Sequence, residues 1–201
     1  LDIAAVRASW ELPFEQGLAF ERAISDGSLG TPESRAMRHL FFAERAVTDV
    51  PGLTPADKPR EIRRCGIIGS GTMGGGIAMS FVNVDIPVVL LDVDQASLDR
   101  GIATIRKNYE SSVKRGRMTP ADVEKRMSMV TTSTRYEDFG DCDLAIEAVF
   151  EDMALKKKIF GELDRVMKPG AILATNTSTL DINQIGSATK RPKDVIGLHF
   201  F

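Results

Sequence analysis

From residue 62 onward two patterns take turns along the chain. Short apolar runs at 65–68, 88–91, 128–132, 143–147, 171–175 and 195–198 have the length of strands. Between them apolar residues recur every three or four positions, as on one face of a helix. Ile77, Ala78, Phe81 and Val82 form the first such stripe, and Leu98, Ile102, Ile105, Tyr109 and Val113 the second. Leu155, Ile159, Leu163 and Val166 form a third, and Ile182, Ile185 and Ala188 suit a short helix. Gly116 and the run Lys168-Pro169-Gly170 supply stops, and Met118-Thr119-Pro120 starts a further short helix. Strands alternating with helices predict an α/β fold with a doubly wound parallel sheet.

Residues 1–48 carry no strand pattern. Pro13 followed by Phe14, Leu18 and Phe20 predicts one helix, which Gly27-Ser28-Leu29-Gly30 should break. Thr31-Pro32-Glu33 is a helix start, with a capping hydroxyl, a proline at the first helical position and an acid in the first turn. Met37, Leu40, Phe41 and Val47 mark its apolar stripe. A helical pair of this size buries too little surface to stand alone. Residues 49–61 hold three of the nine prolines and read as a linker.

The junction after the first strand carries the clearest chemistry. Gly69-Ser70-Gly71-Thr72-Met73-Gly74 follows an apolar strand and opens a helical stripe, the context a dinucleotide fingerprint requires. Gly69 permits the tight turn, Gly71 lets backbone approach a pyrophosphate, and Gly74 lets the helix pack close to the strand. The helix N-terminus offers N–H groups and partial positive charge to the phosphates. The next strand ends at Asp92. An acid there takes ribose hydroxyls and repels a 2′-phosphate, which favours NAD over NADP.

Ligands of doubly wound sheets sit beyond the carboxyl ends of the strands. That rule selects the stretch 147–151, the polar cluster Thr175-Asn176-Thr177-Ser178, and His199. The cluster is either a turn capping the next helix or a set of polar groups facing a nicotinamide and a substrate. Of the two histidines, His39 lies mid-helix and reads as a surface or packing residue. His199 ends an apolar strand, where it is either structural or a general base, a role open to histidine because the unperturbed imidazole pKa lies close to neutral pH. Lys156-Lys157-Lys158 is a solvated face by default, with at most one lysine turned to a ligand.

Composition narrows the setting. A net charge of −2 gives no pull toward nucleic acid or anionic membrane, and 43% hydrophobic residues suit a real core. No run is apolar enough to span a membrane. Cys65 and Cys142 sit in no metal or redox motif and suit a reducing compartment. The chain opens on Leu1 and stops inside an apolar run at Phe201, so we expect a segment of a longer protein.

The glycine turn, Glu147-Ala148-Val149-Phe150-Glu151-Asp152, Asn176-Thr177-Ser178 and His199-Phe200-Phe201 together resemble the 3-hydroxyacyl-CoA dehydrogenase family over residues 62–201. Pro13-Phe14-Glu15-Gln16-Gly17-Leu18 and Leu40-Phe41-Phe42-Ala43-Glu44-Arg45 resemble the last helices of the hydratase half of multifunctional fatty-acid oxidation enzymes. The resemblance implies a Rossmann domain at 62–201, a linker at 49–61 and a hydratase/isomerase tail at 1–48. It implies NAD as cofactor and oxidation of an (S)-3-hydroxyacyl-CoA to the 3-oxoacyl-CoA. It makes His199 the base and Ser178 a hydroxyl between cofactor and substrate. It also sets Gly69, Gly71, Met73 and Gly74 over the pyrophosphate, Asp92 on the ribose, and Val149, Glu151 and Lys156 around the nicotinamide half. The glutamate that orients the histidine, the C-terminal helical domain and the hydratase active site would lie outside residues 1–201. Asp85 stands where the family usually has glycine, and we expect a solvent-facing turn there. Bacterial cytoplasm is expected ahead of the peroxisome. The alternative is a non-catalytic NAD-binding or structural protein on the same domain.

Overall fold

The computed structural model describes residues 2–54 and 56–201. Pro55, one of the three linker prolines, lies outside the described residues. The chain divides into two compact units, Leu1–Pro59 and Arg60–Phe201.

The first unit holds three helices, α1 (Asp2–Glu11), α2 (Phe14–Leu29) and α3 (Pro32–Ala46). The expected break at Gly27-Ser28-Leu29-Gly30 occurs at the end of that stretch: α2 runs through Gly27, its last residue is Leu29, and Gly30 is its C-cap. One glycine costs a helix about 1 kcal/mol against alanine and does not by itself end it. The start of α3 is as expected, with the Thr31 hydroxyl accepting the Ser34 N–H and Pro32 at its first position. Ala8 is the one buried residue of the unit among the described residues. Met37, Leu40 and Phe42 are more than half exposed. His39 is exposed on α3. No helix or strand falls between Ala46 and Cys65 among the described residues.

In the second unit six parallel strands stand in the order β3-β2-β1-β4-β5-β6. They are β1 (Cys65–Ile68), β2 (Val88–Leu91), β3 (Val130–Ser133), β4 (Leu144–Glu147), β5 (Ile172–Thr175) and β6 (Val195–Gly197). β3 begins two residues later than expected, because α6 (Pro120–Ser128) and its cap Met129 take the preceding residues. A capping box between Thr119 and Asp122 fixes where α6 starts.

Both faces of the sheet are covered, which is why β1, β2 and β4 are apolar without alternation. On one face α4 (Thr72–Val82), α5 (Gln95–Lys114) and α6 contribute Ile77, Leu98, Ile105, Tyr109 and Val123 to the core. On the other, α7 (Met153–Val166) and α8 (Ile182–Gly186) contribute Ile159, Phe160, Leu163 and Ile185. The buried set of α7 includes Lys156, Ile159, Phe160 and Leu163, whereas Leu155 and Val166 are half-buried. Cys65 and Cys142 are buried and free. Asp85 makes the exposed turn before β2 with φ at 60°, and its carboxylate accepts from Lys125 Nζ at 2.7 Å. No helix among the described residues is long and apolar enough to cross a membrane.

Candidate functional site

The strand order reverses between β1 and β4. The chain leaves β1 toward one face and β4 toward the other, which opens a crevice at their carboxyl ends. Most of the residues expected to bind lie along this edge.

The turn after β1 tolerates nothing but glycine at two points. Gly69 has φ at 99°, and a Cβ there would lie 2.7 Å from the Ala148 carbonyl oxygen. A Cβ on Gly74 would lie 1.7 Å from the Gly69 carbonyl oxygen. Gly71 differs, since nothing lies within 4 Å of its absent side chain. It caps α4 without any side-chain hydrogen bond, so the first N–H groups of that helix have no capping side chain. Met73 stands in this first turn, partly exposed. A further glycine, Gly101 in α5, belongs to no motif that the sequence shows. Its Cβ would sit 2.6 Å from the Ser70 carbonyl oxygen, so it lets α5 press against the turn. Its one signal is that of a lone glycine inside a strongly periodic helix.

Asp92 follows β2 and faces the turn. Its Oδ2 accepts the Ser70 N–H at 2.7 Å and also the Ser70 hydroxyl. Its Oδ1 accepts the Val93 N–H at 2.7 Å. Oδ2 has both lone pairs engaged, and Oδ1 keeps acceptor capacity for a ribose hydroxyl. Uncapped amides, the open cradle at Gly71 and a fixed carboxylate fit the diphosphate and ribose of a dinucleotide.

Beyond β4 and β5 lies a charged network that the sequence pattern shows only in part. Glu147, the last residue of β4, is fully buried, and Lys156 on α7 is 1% exposed. Lys156 Nζ donates to Glu147 Oε1 and Oε2 at 2.6 and 2.8 Å and lies 3.3 Å from Glu151 Oε2. The Val149 N–H and the Thr175 hydroxyl donate to the same Glu147 carboxylate at 2.8 and 2.7 Å. One lysine of the three does turn inward, but toward protein carboxylates. Glu151 accepts the Thr177 hydroxyl and the Ser178 N–H, the latter at 3.0 Å. Partial burial pushes the Glu151 pKa up. The Thr177 hydroxyl, the Ser178 amide and Lys156 outweigh it and bring the pKa down to about 2.

Thr177 is buried and its hydroxyl accepts the Leu180 N–H at 3.0 Å, so this part of the polar cluster is a turn. Ser178 is exposed. Asn176 Oδ1 accepts the Phe200 N–H at 2.6 Å, which ties the exit of β6 to that of β5. Leu198 and Phe200 pack toward the core, and His199 between them is exposed, its ring 5.7 Å from that of Phe201. Among the described residues no hydrogen bond joins His199 to Ser178. A surface cleft lined by Arg64, Thr132, Ser133, Glu137 and Asp138 lies beside β3 and shares no residue with this site.

Known proteins place this geometry. Residues 64–201 match the family described as 3-hydroxyacyl-CoA dehydrogenase, NAD binding domain. The peroxisomal fatty acid β-oxidation multifunctional protein of Oryza sativa is 45% identical over 172 residues, covering 85% of this chain and 24% of the relative. The fatty acid oxidation complex subunit alpha of Shewanella amazonensis is 38% identical over 200 residues, 99% of this chain and 28% of the relative. The chain thus spans about a quarter of the length of the curated relatives it matches. The crystal structure of (S)-3-hydroxybutyryl-CoA dehydrogenase from Ralstonia eutropha superposes with a TM-score of 0.69 at 36% identity, covering 70% of this chain and 50% of that one. The match to residues 64–201, with the glycine turn and sheet order that carry it, shows that this chain belongs to the 3-hydroxyacyl-CoA dehydrogenase family as its NAD-binding domain.

Proposed function

We propose that the chain holds NAD across the carboxyl ends of its sheet and serves in oxidising (S)-3-hydroxyacyl-CoA to 3-oxoacyl-CoA within a multifunctional fatty-acid β-oxidation enzyme. The observation that carries the cofactor reading is Asp92 fixed on the Ser70 N–H beside the uncapped start of α4. The substrate and the multifunctional setting rest on the relatives, whose names are those of β-oxidation proteins. On this reading residues 1–48 are the helical tail of a hydratase/isomerase domain, 49–61 a linker and 62–201 the Rossmann domain. The acyl-CoA site is completed by domains outside these residues.

NAD, when bound, supplies the hydride acceptor. Gly69, Gly71, Met73 and Gly74 line its diphosphate, and Asp92 takes its ribose hydroxyls. Val149, Glu151 and Lys156 lie on the side of the nicotinamide half. His199 takes the substrate hydroxyl proton, for which an exposed imidazole at a strand end is free to approach. Ser178, exposed beside Glu151, donates to the substrate oxygen. Calorimetric titration with NADH and with NADPH tests the reading. Preference for NADH is expected, and binding of neither overturns it.

A further inference from the structure

Lys156 and Glu147 form an ion pair removed from water, and such pairs add little net stability because desolvation offsets their attraction. A reason other than stability is needed for burying them at the one sheet edge where a ligand belongs. The pair does not stand alone. The three N–H groups of Lys156 face three carboxylate oxygens, two on Glu147 and one on Glu151. Two carboxylates against one ammonium leave one uncompensated negative charge. Glu151 carries it at the surface, where its side chain is 38% exposed.

The position of that charge follows from the fold, given the cofactor reading above, on which this inference rests. The diphosphate belongs at the β1 turn and the adenosine ribose at Asp92, beyond β2. The remaining half of a dinucleotide must then extend across β4 and β5, where the trio sits. An oxidised nicotinamide ring is cationic and a reduced one is neutral. A fixed negative charge beside it favours the oxidised form.

We propose that Glu147, Lys156 and Glu151 act as one charge-setting unit, with the buried Glu147 a positioning residue whose carboxylate gives the site its single net negative charge and so biases it toward oxidised dinucleotide. Glu147 touches no cofactor. It neutralises Lys156, which would otherwise cancel Glu151. The Thr175 hydroxyl and the Val149 N–H fix the orientation of its carboxylate by hydrogen bonding.

The test is a set of calorimetric titrations with NAD+, NADH and ADP-ribose, the last lacking the ring. In Glu147→Gln the net charge of the trio goes to zero. The preference for NAD+ over NADH, taken as the ratio of their Kd values, should shift toward NADH by about three- to tenfold, the scale of one charge felt through partly wetted protein. ADP-ribose affinity should stay unchanged. In Glu147→Gln/Lys156→Met the net charge returns to minus one, and the ratio should return to within about twofold of the wild type. A purely structural role predicts no such return. An unchanged ratio in Glu147→Gln with ADP-ribose still bound overturns the proposal and leaves the cofactor reading standing. A ratio that stays shifted in the double variant overturns it as well. Should Glu147→Gln lose ADP-ribose binding, Glu151→Gln makes the same charge change at the surface. There the same shift supports the proposal and an unchanged ratio defeats it. A wild-type chain that binds none of the three overturns the cofactor reading, and this inference with it.

Discussion

Asp92 accepts the backbone N–H of Ser70 at 2.7 Å, so the acid ending one strand is bonded to the turn that ends its neighbour. The same carboxylate shapes the glycine turn and, on the proposed reading, presents its Oδ1 to a ribose. Asp92→Asn keeps the shape and loses the charge. Hydrogen bonds to a charged group are worth about 1.5–3 kcal/mol, so NADH affinity should fall by about ten- to a hundredfold. NADPH should lose less, because the repulsion of its 2′-phosphate goes too. Paired titrations with both nucleotides check this, and equal losses for the two would count against the ribose role.

Two glycines in the same helix predict opposite outcomes. A Cβ on Gly74 would lie 1.7 Å from the Gly69 carbonyl oxygen, and backbone has to move to admit it. Gly74→Ala should cost about 3 kcal/mol and abolish NADH binding. Gly76 is exposed, and nothing lies within 4 Å of its absent side chain. Gly76→Ala should stabilise the domain by about 0.5–1 kcal/mol through helix propensity, with binding intact. Urea denaturation of the two variants reads both signs.

Much of the sheet and of the glycine turn is legible in the sequence. β1 and β2 match their apolar runs residue for residue, because a strand covered on both faces has no reason to alternate. Asp85, an acid in a glycine's place, does make the solvent-facing turn expected there, and its φ of 60° is a finding of the structure. The mismatches have physical causes. Apolar spacing alone puts Leu155 and Val166 on the stripe of α7, whereas the buried face holds Lys156 and Phe160. Lys156 falls at helical spacing with Ile159, Phe160 and Leu163, but a lysine at a core position looks like solvent face until its partner is known. That partner, Glu147, reads as the last residue of a strand, and sequence gives no sign that its carboxylate is buried. The apolar residues of α3 predict a helix correctly and say nothing of what covers them.

Lys156→Met should be among the most damaging single changes outside the glycines. It leaves the Glu147 carboxylate buried with only the Val149 N–H and the Thr175 hydroxyl as donors. Breaking a buried pair by removing one partner costs about 3–5 kcal/mol. Changing Glu147 to Gln as well should recover most of that, since no unpaired charge then stays inside. Denaturation of the single and double variants measures the difference.

Glu151 predicts an acid-sensitive contribution to stability. Its carboxyl titrates near 2 in the folded chain against 4.5 for the ordinary group. Between those values the unfolded chain binds the extra proton, so stability rises with pH there. The contribution is present above about pH 4.5 and is lost as pH falls through 2. Glu151→Gln should therefore be less stable than the wild type at pH 6, and the gap should narrow at pH 3. A gap independent of pH would mean that the Thr177 and Ser178 bonds do not depend on the charge.

His199 separates catalysis from binding. Leu198 and Phe200 on either side of it face the core, and Asn176 holds the Phe200 N–H, so the backbone at 199 is fixed without help from the imidazole. The ring itself is exposed. Removing it should leave the fold and the dinucleotide site intact. In the multifunctional enzyme, His199→Ala should lower kcat for 3-hydroxyacyl-CoA oxidation by about 10²- to 10⁴-fold, the usual worth of a general base. NADH affinity should change by less than about twofold, since no binding role is assigned to this residue. Full activity in the variant would reduce His199 to a strand-end residue and return the choice to a non-catalytic, NAD-holding domain. Lost NADH binding would place the imidazole in the cofactor site instead.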